Sequence, residues 1–144
     1  IYDRLVGSEM CIRDSYENEK GIPQKALEFK EIIKSADGII ISFAEHNSVY
    51  TAAFKNIFDW ISRIEKIVWY NKPMLLLSTS DGSRGAKTVL EIAHKRISRG
   101  NPHSIPTFSL PNFDDNFEIN KGITNSKLNK EFKKSLELFI LNLS

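Results

Sequence analysis

Residues 38–61 read GIIISFAEHNSVYTAAFKNIFDWI, and this stretch decides the fold class. It opens with an unbroken β-branched run, Ile39 to Ile41, which is typical of a parallel strand covered on both faces. A polar turn follows, and from about Tyr50 apolar residues recur at helical spacing. One apolar stripe of this helix holds Phe54, Ile57, Phe58 and Ile61. The segment therefore predicts a strand, a loop and a helix in succession.

The same alternation of helices and buried strands continues on both sides of this stretch. Pro23 opens an upstream helix, and Met74–Leu77 is a second buried strand followed by another helix. A further strand is predicted within 105–110, where Pro106 favours an edge position or a late start. We interpret 114–125 as a loop, with a last helix capped by Thr124 or Asn125. This order predicts an α/β fold with a parallel sheet.

Composition sets the class of protein and excludes several functions. The chain has 144 residues, 41% of them hydrophobic and 26% charged, which suits one globular domain. No apolar run is long enough to span a bilayer, and a net charge of +2 argues against a nucleic-acid partner. A single cysteine cannot form an internal disulfide, so a cytoplasmic location is expected.

The first fifteen residues, IYDRLVGSEMCIRDS, do not continue the pattern. They have neither helical nor strand periodicity, and they lack the apolar centre of a signal peptide. Ile1–Ser15 resembles translated sequencing-adapter sequence, and we interpret it as non-native. The predicted domain is therefore 16–144.

Two loops should lie where a ligand binds in such a sheet, beyond the carboxyl ends of the strands. One is 44–50 and the other is 80–85, and each leads into a helix whose first N–H groups are unpaired. The second loop carries two glycines, which allow a close approach of the backbone to a flat ligand. The pattern suits a planar heteroaromatic ring, although any βα loop can share it.

The sequence also resembles a known family. The run SADGIIIS at 35–42, the residues EHN at 45–47 and FKNIFDW at 54–60 resemble the NADPH-dependent FMN reductase family, which includes quinone and chromate reductases. Residues 78–85 resemble its second flavin loop. The resemblance implies a flavodoxin-like three-layer α/β/α fold, FMN as cofactor and NAD(P)H as co-substrate.

Carried over residue by residue, the resemblance implies a flavin site without catalytic side chains or metal ligands. The residues implied to border the flavin ring are Glu45, His46, Asn47, Ser48, Ser80, Gly82 and Gly85. Two departures from the family pattern concern the first loop, where Ala44 replaces a proline and His46 replaces a tyrosine. The loss of the phenol changes the face that the flavin would meet.

The opening strands and the phosphate-binding loop of the family are not recognisable in this sequence. In the flavodoxin-like strand order the absent strand would lie beside 38–43, which would leave an unpaired apolar edge. We therefore expect the chain as written to fold poorly and to bind FMN weakly.

The resemblance implies hydride transfer from NAD(P)H to flavin and then to a small acceptor such as a quinone, a metal oxyanion or free flavin. A non-enzymatic flavodoxin-type electron carrier is the alternative, although such a carrier should be acidic. A fragment unable to bind FMN is another. The second apolar stripe of the Tyr50–Ile64 helix, which includes Trp60, favours a homo-oligomer.

Overall fold

The computed structural model describes residues 16–17 and 19–143, so the prediction about 1–15 lies outside the described residues. From residue 24 onward, the helices of the described chain are α1 (Gln24–Ser35), α2 (Ala52–Ile64), α3 (Lys87–Ile97), α4 (Phe113–Asn116) and α5 (Ser126–Leu141). The strands are β1 (Ile39–Phe43), β2 (Glu45–His46), β3 (Val49–Tyr50), β4 (Met74–Thr79), β5 (Thr107–Leu110), β6 (Phe117–Glu118) and β7 (Gly122–Ile123).

The central sheet of the described chain consists of β1, β4 and β5, with β4 in the middle. Both pairings are parallel; Ile39 lies opposite Met74, and Leu76 lies opposite Thr107. β5 begins directly after Pro106, which agrees with the predicted late start at an edge. The predicted α/β fold with a parallel sheet is confirmed.

Helices cover the sheet from both faces. α1, α2 and α3 share one core with the sheet; its fully buried members include Ile61, Met74, Leu76, Val89 and Ala93. α5 packs on the opposite face, where the Phe108 and Phe132 ring centroids are 5.3 Å apart. The three layers agree with the implied flavodoxin-like architecture.

The helix that follows the first loop starts later than predicted. Tyr50 belongs to β3, and α2 begins at Ala52 because the Thr51 hydroxyl accepts a hydrogen bond from the Phe54 N–H at 3.2 Å. A threonine at this position is a strong helix start, since its side chain satisfies an amide that the helix leaves unpaired.

The interpretation of 114–125 as a loop was wrong. This segment contains most of α4 and the antiparallel pair β6–β7, in which Phe117 lies opposite Ile123. The Asn116 side chain donates to the Pro111 carbonyl at 2.9 Å, and Gly122 adopts a φ of 76°. These local bonds do not produce a hydrophobic period, which explains why the pattern missed them.

β1 is less covered than predicted. On the face that α5 covers, the Ile40 side chain is 53% exposed and Ser42 is exposed, whereas Leu75 of β4 is fully buried. α5 packs over β4 and β5, whereas Ile40 and Ser42 of β1 stay exposed. The expectation of burial on both faces therefore holds for β4 only.

A buried lysine joins α1 to the segment between α2 and β4. The Lys30 ammonium donates to the Ile67 carbonyl at 3.1 Å and to the Val68 carbonyl, and it lies 4.0 Å from the Tyr70 ring centroid. Burial lowers the pKa of Lys30. Burial and then a hydrogen bond with Glu65 raise the pKa of Tyr70 to about 12.

We expect Tyr70→Phe to reduce the loss of stability at alkaline pH. The folded chain keeps the Tyr70 proton to a pKa of about 12, whereas the unfolded chain loses it near 10.0. The stability that Tyr70 contributes through this pKa difference is therefore fully present below the unfolded pKa, and it is lost as the pH rises towards the folded pKa. Urea unfolding at neutral and strongly alkaline pH checks this. Tyr16→Phe, at an exposed tyrosine, is the control; an equal alkaline loss in wild type and Tyr70→Phe would contradict the prediction.

Candidate functional site

The carboxyl ends of the three parallel strands meet at one edge of the sheet. Phe43 lies opposite Ser78, and Thr79 lies opposite Leu110, so β1, β4 and β5 end at nearly the same level. The loops that follow β1 and β4 therefore leave from the same edge, as predicted. This is the position at which parallel α/β sheets bind ligands.

The first loop is a short hairpin. β2 pairs with β3 through Glu45 opposite Tyr50 and His46 opposite Val49. Asn47 and Ser48 form its tip with φ values of 50° and 66°, the positive values that a type I′ turn requires. Asparagine accepts this conformation readily, whereas for serine it costs about 1 kcal/mol. The hairpin raises the Asn47–Ser48 tip beyond the strand.

Glu45 connects this hairpin to the helix behind the second loop. Its half-buried carboxylate Oε2 accepts a hydrogen bond from the Val89 N–H at 2.9 Å. The N-cap of α3 is Ala86, which has no side-chain cap bond, so the carboxylate from the first loop supplies one. Such a cap contributes about 1 kcal/mol, and a negative charge at a helix N-terminus adds to it.

The second loop is held against β5 through Gly85. The Gly85 carbonyl accepts hydrogen bonds from the Ser78 and Ser109 hydroxyls, each at 2.8 Å. Gly85 has a φ of 58°, and a Cβ at this position would lie 2.8 Å from the Pro111 nitrogen and 2.9 Å from the Leu110 carbonyl carbon. Packing therefore requires glycine here, whatever the ligand.

Gly82 differs from Gly85 in this respect. An added Cβ at Gly82 would meet only the Ser80 hydroxyl, at an ordinary 3.7 Å. The Gly82 carbonyl accepts from the Asn112 N–H at 3.1 Å, and the Ser80 carbonyl accepts from the Phe113 N–H at 3.1 Å. These bonds fix the loop through its carbonyl groups.

The backbone N–H groups of the second loop remain available to donate hydrogen bonds to a ligand. Residues 81–84 are exposed, and within the described chain their backbone N–H groups donate to no protein acceptor. Because the loop is fixed through its carbonyls, these donors stay at the carboxyl edge. They suit a ligand whose rim carries several acceptor atoms, which fits the pyrimidine side of a flavin ring.

The predicted site residues thus form two groups at one edge. Glu45, His46, Asn47 and Ser48 make up the hairpin from β2 to the turn, and Ser80, Gly82 and Gly85 belong to the second loop. The Glu45–Val89 bond links the two loops. Ser78 lies within the predicted second flavin loop, but the sequence analysis did not predict that the Ser78 and Ser109 hydroxyls hold Gly85.

An apolar cavity of about 540 Å³ opens beside this edge, on the α5 face of the sheet. Ser42, Ser78 and Thr79 line its strand side, and Phe113, Phe117 and Phe132 line the opposite wall. Among the described residues, no group of three histidine, cysteine or acidic side chains could hold a metal ion. No helix in the same part of the chain is long and apolar enough to cross a membrane.

Comparison with known proteins agrees with this architecture. The chain is 26% identical over 106 residues to the NADPH azoreductase of Bacillus sp. strain OY1-2, covering 74% of this chain and 57% of that protein. It is 35% identical over 83 residues to the 2-hydroxy-1,4-benzoquinone reductase of Burkholderia sp., covering 57% and 44%. The chain thus spans about half the length of these curated relatives.

Among solved structures, the chain resembles FerB, a flavoenzyme NAD(P)H:(acceptor) oxidoreductase from Paracoccus denitrificans. The TM-score is 0.68 at 20% identity, with 90% of this chain and 72% of that chain covered, so the likeness concerns the fold. The NADPH-dependent FMN reductase profile matches residues 4–114. This match begins inside the segment 1–15, whose non-native origin stays a prediction. Since the match covers most of the sequence and includes both loops of the carboxyl edge, the chain belongs to the NADPH-dependent FMN reductase family.

Proposed function

We propose that this protein is an FMN-containing oxidoreductase that takes hydride from NAD(P)H and passes the electrons to a small acceptor. The observation that carries the proposal is the pair of loops at the carboxyl edge, joined by the bond between Glu45 and Val89. Family membership supports the cofactor and the electron donor. Membership leaves the acceptor open.

The flavin ring would lie between the hairpin and the second loop. The N–H groups of residues 81–84 would donate to its acceptor atoms, and Ser80, Gly82 and Gly85 would border the same side. Glu45, His46, Asn47 and Ser48 would limit the ring on the other side. The Glu45 carboxylate already accepts from Val89, so we assign it to positioning rather than proton transfer.

When bound, FMN would supply the redox chemistry, accepting the hydride and releasing two electrons. The chain would contribute binding and orientation, which agrees with the lack of a triad or paired-carboxylate motif in the sequence. A quinone is the acceptor class that we propose first, because the Burkholderia relative is named as a benzoquinone reductase. Two electrons and two protons convert a quinone to a hydroquinone, and water can supply the protons.

An oxidation assay tests this proposal. The purified chain is incubated with excess FMN, and the oxidation of NADPH and of NADH is followed with and without 1,4-benzoquinone. We expect quinone-dependent oxidation that requires both protein and FMN. Binding of FMN without oxidation of either nucleotide would favour an electron carrier. No FMN binding at any concentration would contradict the proposal for this polypeptide.

We also propose a cytoplasmic homodimer with α2 at its interface. α2 buries Phe58 and Ile61 in its own core, but Ala53 is exposed and Ile57 and Trp60 are only half-buried. A second copy would cover this remaining apolar stripe. The lone cysteine supports the location, since the chain does not depend on an oxidising compartment.

We expect Trp60→Glu to convert the protein into monomers. A charge on the half-buried stripe would have to be desolvated at the interface without a partner, which disfavours association. Light scattering measures the mass, and Lys34→Glu on the exposed face of α1 is the control. A folded Trp60→Glu variant with the wild-type mass would refute this interface.

A further inference from the structure

The proposed binding edge is formed by two loops that are far apart in sequence, and one side chain connects them. Glu45 lies in the hairpin after β1, and Val89 lies in the first turn of α3, directly behind the second loop. Their hydrogen bond, at 2.9 Å, directly links the hairpin to the first turn of that helix.

Both ends of this bond are set up by the surrounding structure. On the helix side, Ala86 adopts a left-handed conformation with φ 56° and has no side chain that could cap α3. The Val89 N–H would therefore lack an acceptor without Glu45. On the hairpin side, pairing of Glu45 with Tyr50 fixes the backbone from which the carboxylate extends.

The second loop responds to the same bond, because α3 is its continuation. Gly85 and Ala86 are the last residues before the helix, and Gly85 is clamped by the Ser78 and Ser109 hydroxyls. A displacement of the first turn of α3 would reach residues 81–84 through Ala86 and Gly85, which join them to the helix, and the N–H groups of residues 81–84 would donate to the proposed ligand. The carbonyl bonds of the second loop hold those donors at the carboxyl edge, and the Glu45 carboxylate ties the hairpin to the helix that continues from that loop.

We propose that Glu45 is a positioning residue that holds the two loops at the separation that a flavin ring requires. The inference rests on the proposed function for the identity of the ring. It assigns the Glu45 side chain a role through Val89, without contact to the ligand. The required property is an acceptor oxygen at the correct reach, and the negative charge is secondary.

Three substitutions separate reach from charge. Glu45→Gln keeps the length and an acceptor oxygen, Glu45→Asp keeps the charge but is one methylene shorter, and Glu45→Ala removes both. Glu91→Gln is the matched control, because Glu91 is an exposed carboxylate on α3 that is 3.9 Å from Lys87 and is not in the loops. FMN affinity is measured by fluorescence quenching well below the unfolding temperature of each variant.

We expect Glu45→Gln to bind FMN within about twofold of wild type, and Glu45→Asp and Glu45→Ala to bind roughly fivefold more weakly, the loss typical of a missing helix cap. Glu91→Gln should bind as wild type does. Full affinity in Glu45→Ala, or a loss in Glu45→Gln equal to that in Glu45→Ala, would overturn the proposal. A role in stability alone would lower the unfolding temperature and leave these affinities unchanged.

Amide hydrogen exchange, measured without any flavin, distinguishes a failure of the positioning role of Glu45 from a failure of the proposed function. In Glu45→Ala and Glu45→Asp we expect faster exchange at Val89, together with changed amide signals for residues 81–84. A change confined to Val89 would overturn the coupling of the loops even if wild type binds FMN. If the variants change at both Val89 and residues 81–84 while the wild type binds no FMN, Glu45 keeps its positioning role and flavin is rejected as the ligand.

Discussion

Gly85→Ala is expected to lower the free energy of unfolding by about 2–5 kcal/mol and to abolish ligand binding at the carboxyl edge. The left-handed backbone accounts for about 1–2 kcal/mol of the loss. The rest is the cost of overpacking, about 1–3 kcal/mol, because the new Cβ meets the backbone of Leu110 and Pro111, which cannot rotate away. Urea unfolding measures the loss of stability, and quenching of FMN fluorescence measures the loss of binding.

Gly82→Ala is the matched control, three positions earlier in the same loop. Its Cβ would make only an ordinary contact with the Ser80 hydroxyl. We expect its unfolding free energy to lie within about 0.5 kcal/mol of wild type. Equal destabilisation by the two substitutions would mean that loop flexibility, and not the close approach of Gly85 to β5, determines stability here.

Leu76→Ala is expected to destabilise the chain by about 3 kcal/mol. Leu76 is fully buried in the central strand, between Ile41 of β1 and Thr107 of β5, so neighbouring strands on both sides limit collapse of the cavity. A loss of this size is a large fraction of the stability of an ordinary small domain. Chemical denaturation of wild type and variant measures it.

Leu138→Ala removes the same atoms from the surface of α5, where the side chain is 46% exposed. We expect a change of about 0.5 kcal/mol or less. If Leu76→Ala cost no more than Leu138→Ala, β4 would not be the centre of the core.

Much of the fold follows from local pattern. The aliphatic run of β4 is typical of a strand covered on both faces, and its members Leu75 and Leu76, on opposite faces of the strand, are both fully buried. Of the two predicted caps, Thr124 and Asn125, it is Asn125 that caps α5, because its side chain accepts from the amides of Lys127 and Leu128. An aliphatic run or a helix cap involves residues within a few positions of one another, so it can be recognised in the sequence without the tertiary structure.

The segment 114–125 shows where local pattern fails. α4 and the β6–β7 pair have short elements and no repeated apolar spacing, and they depend on bonds such as that from Asn116 to Pro111. The hairpin at Asn47 and Ser48 was likewise interpreted only as a polar turn. Two-residue strands bury too little surface to leave a period in the sequence.

The parallel α/β sheet, the edge at which its loops lie and the family to which they belong could all be inferred from local patterns in the sequence. The folded chain was needed to show that Gly85 must be glycine because it packs closely against β5. It was also needed to show that the Glu45 carboxylate caps a helix more than forty positions away. The physical reason is that periodicity and capping are short-range, whereas a close backbone approach or a cap supplied by a distant residue exists only after the strands have paired.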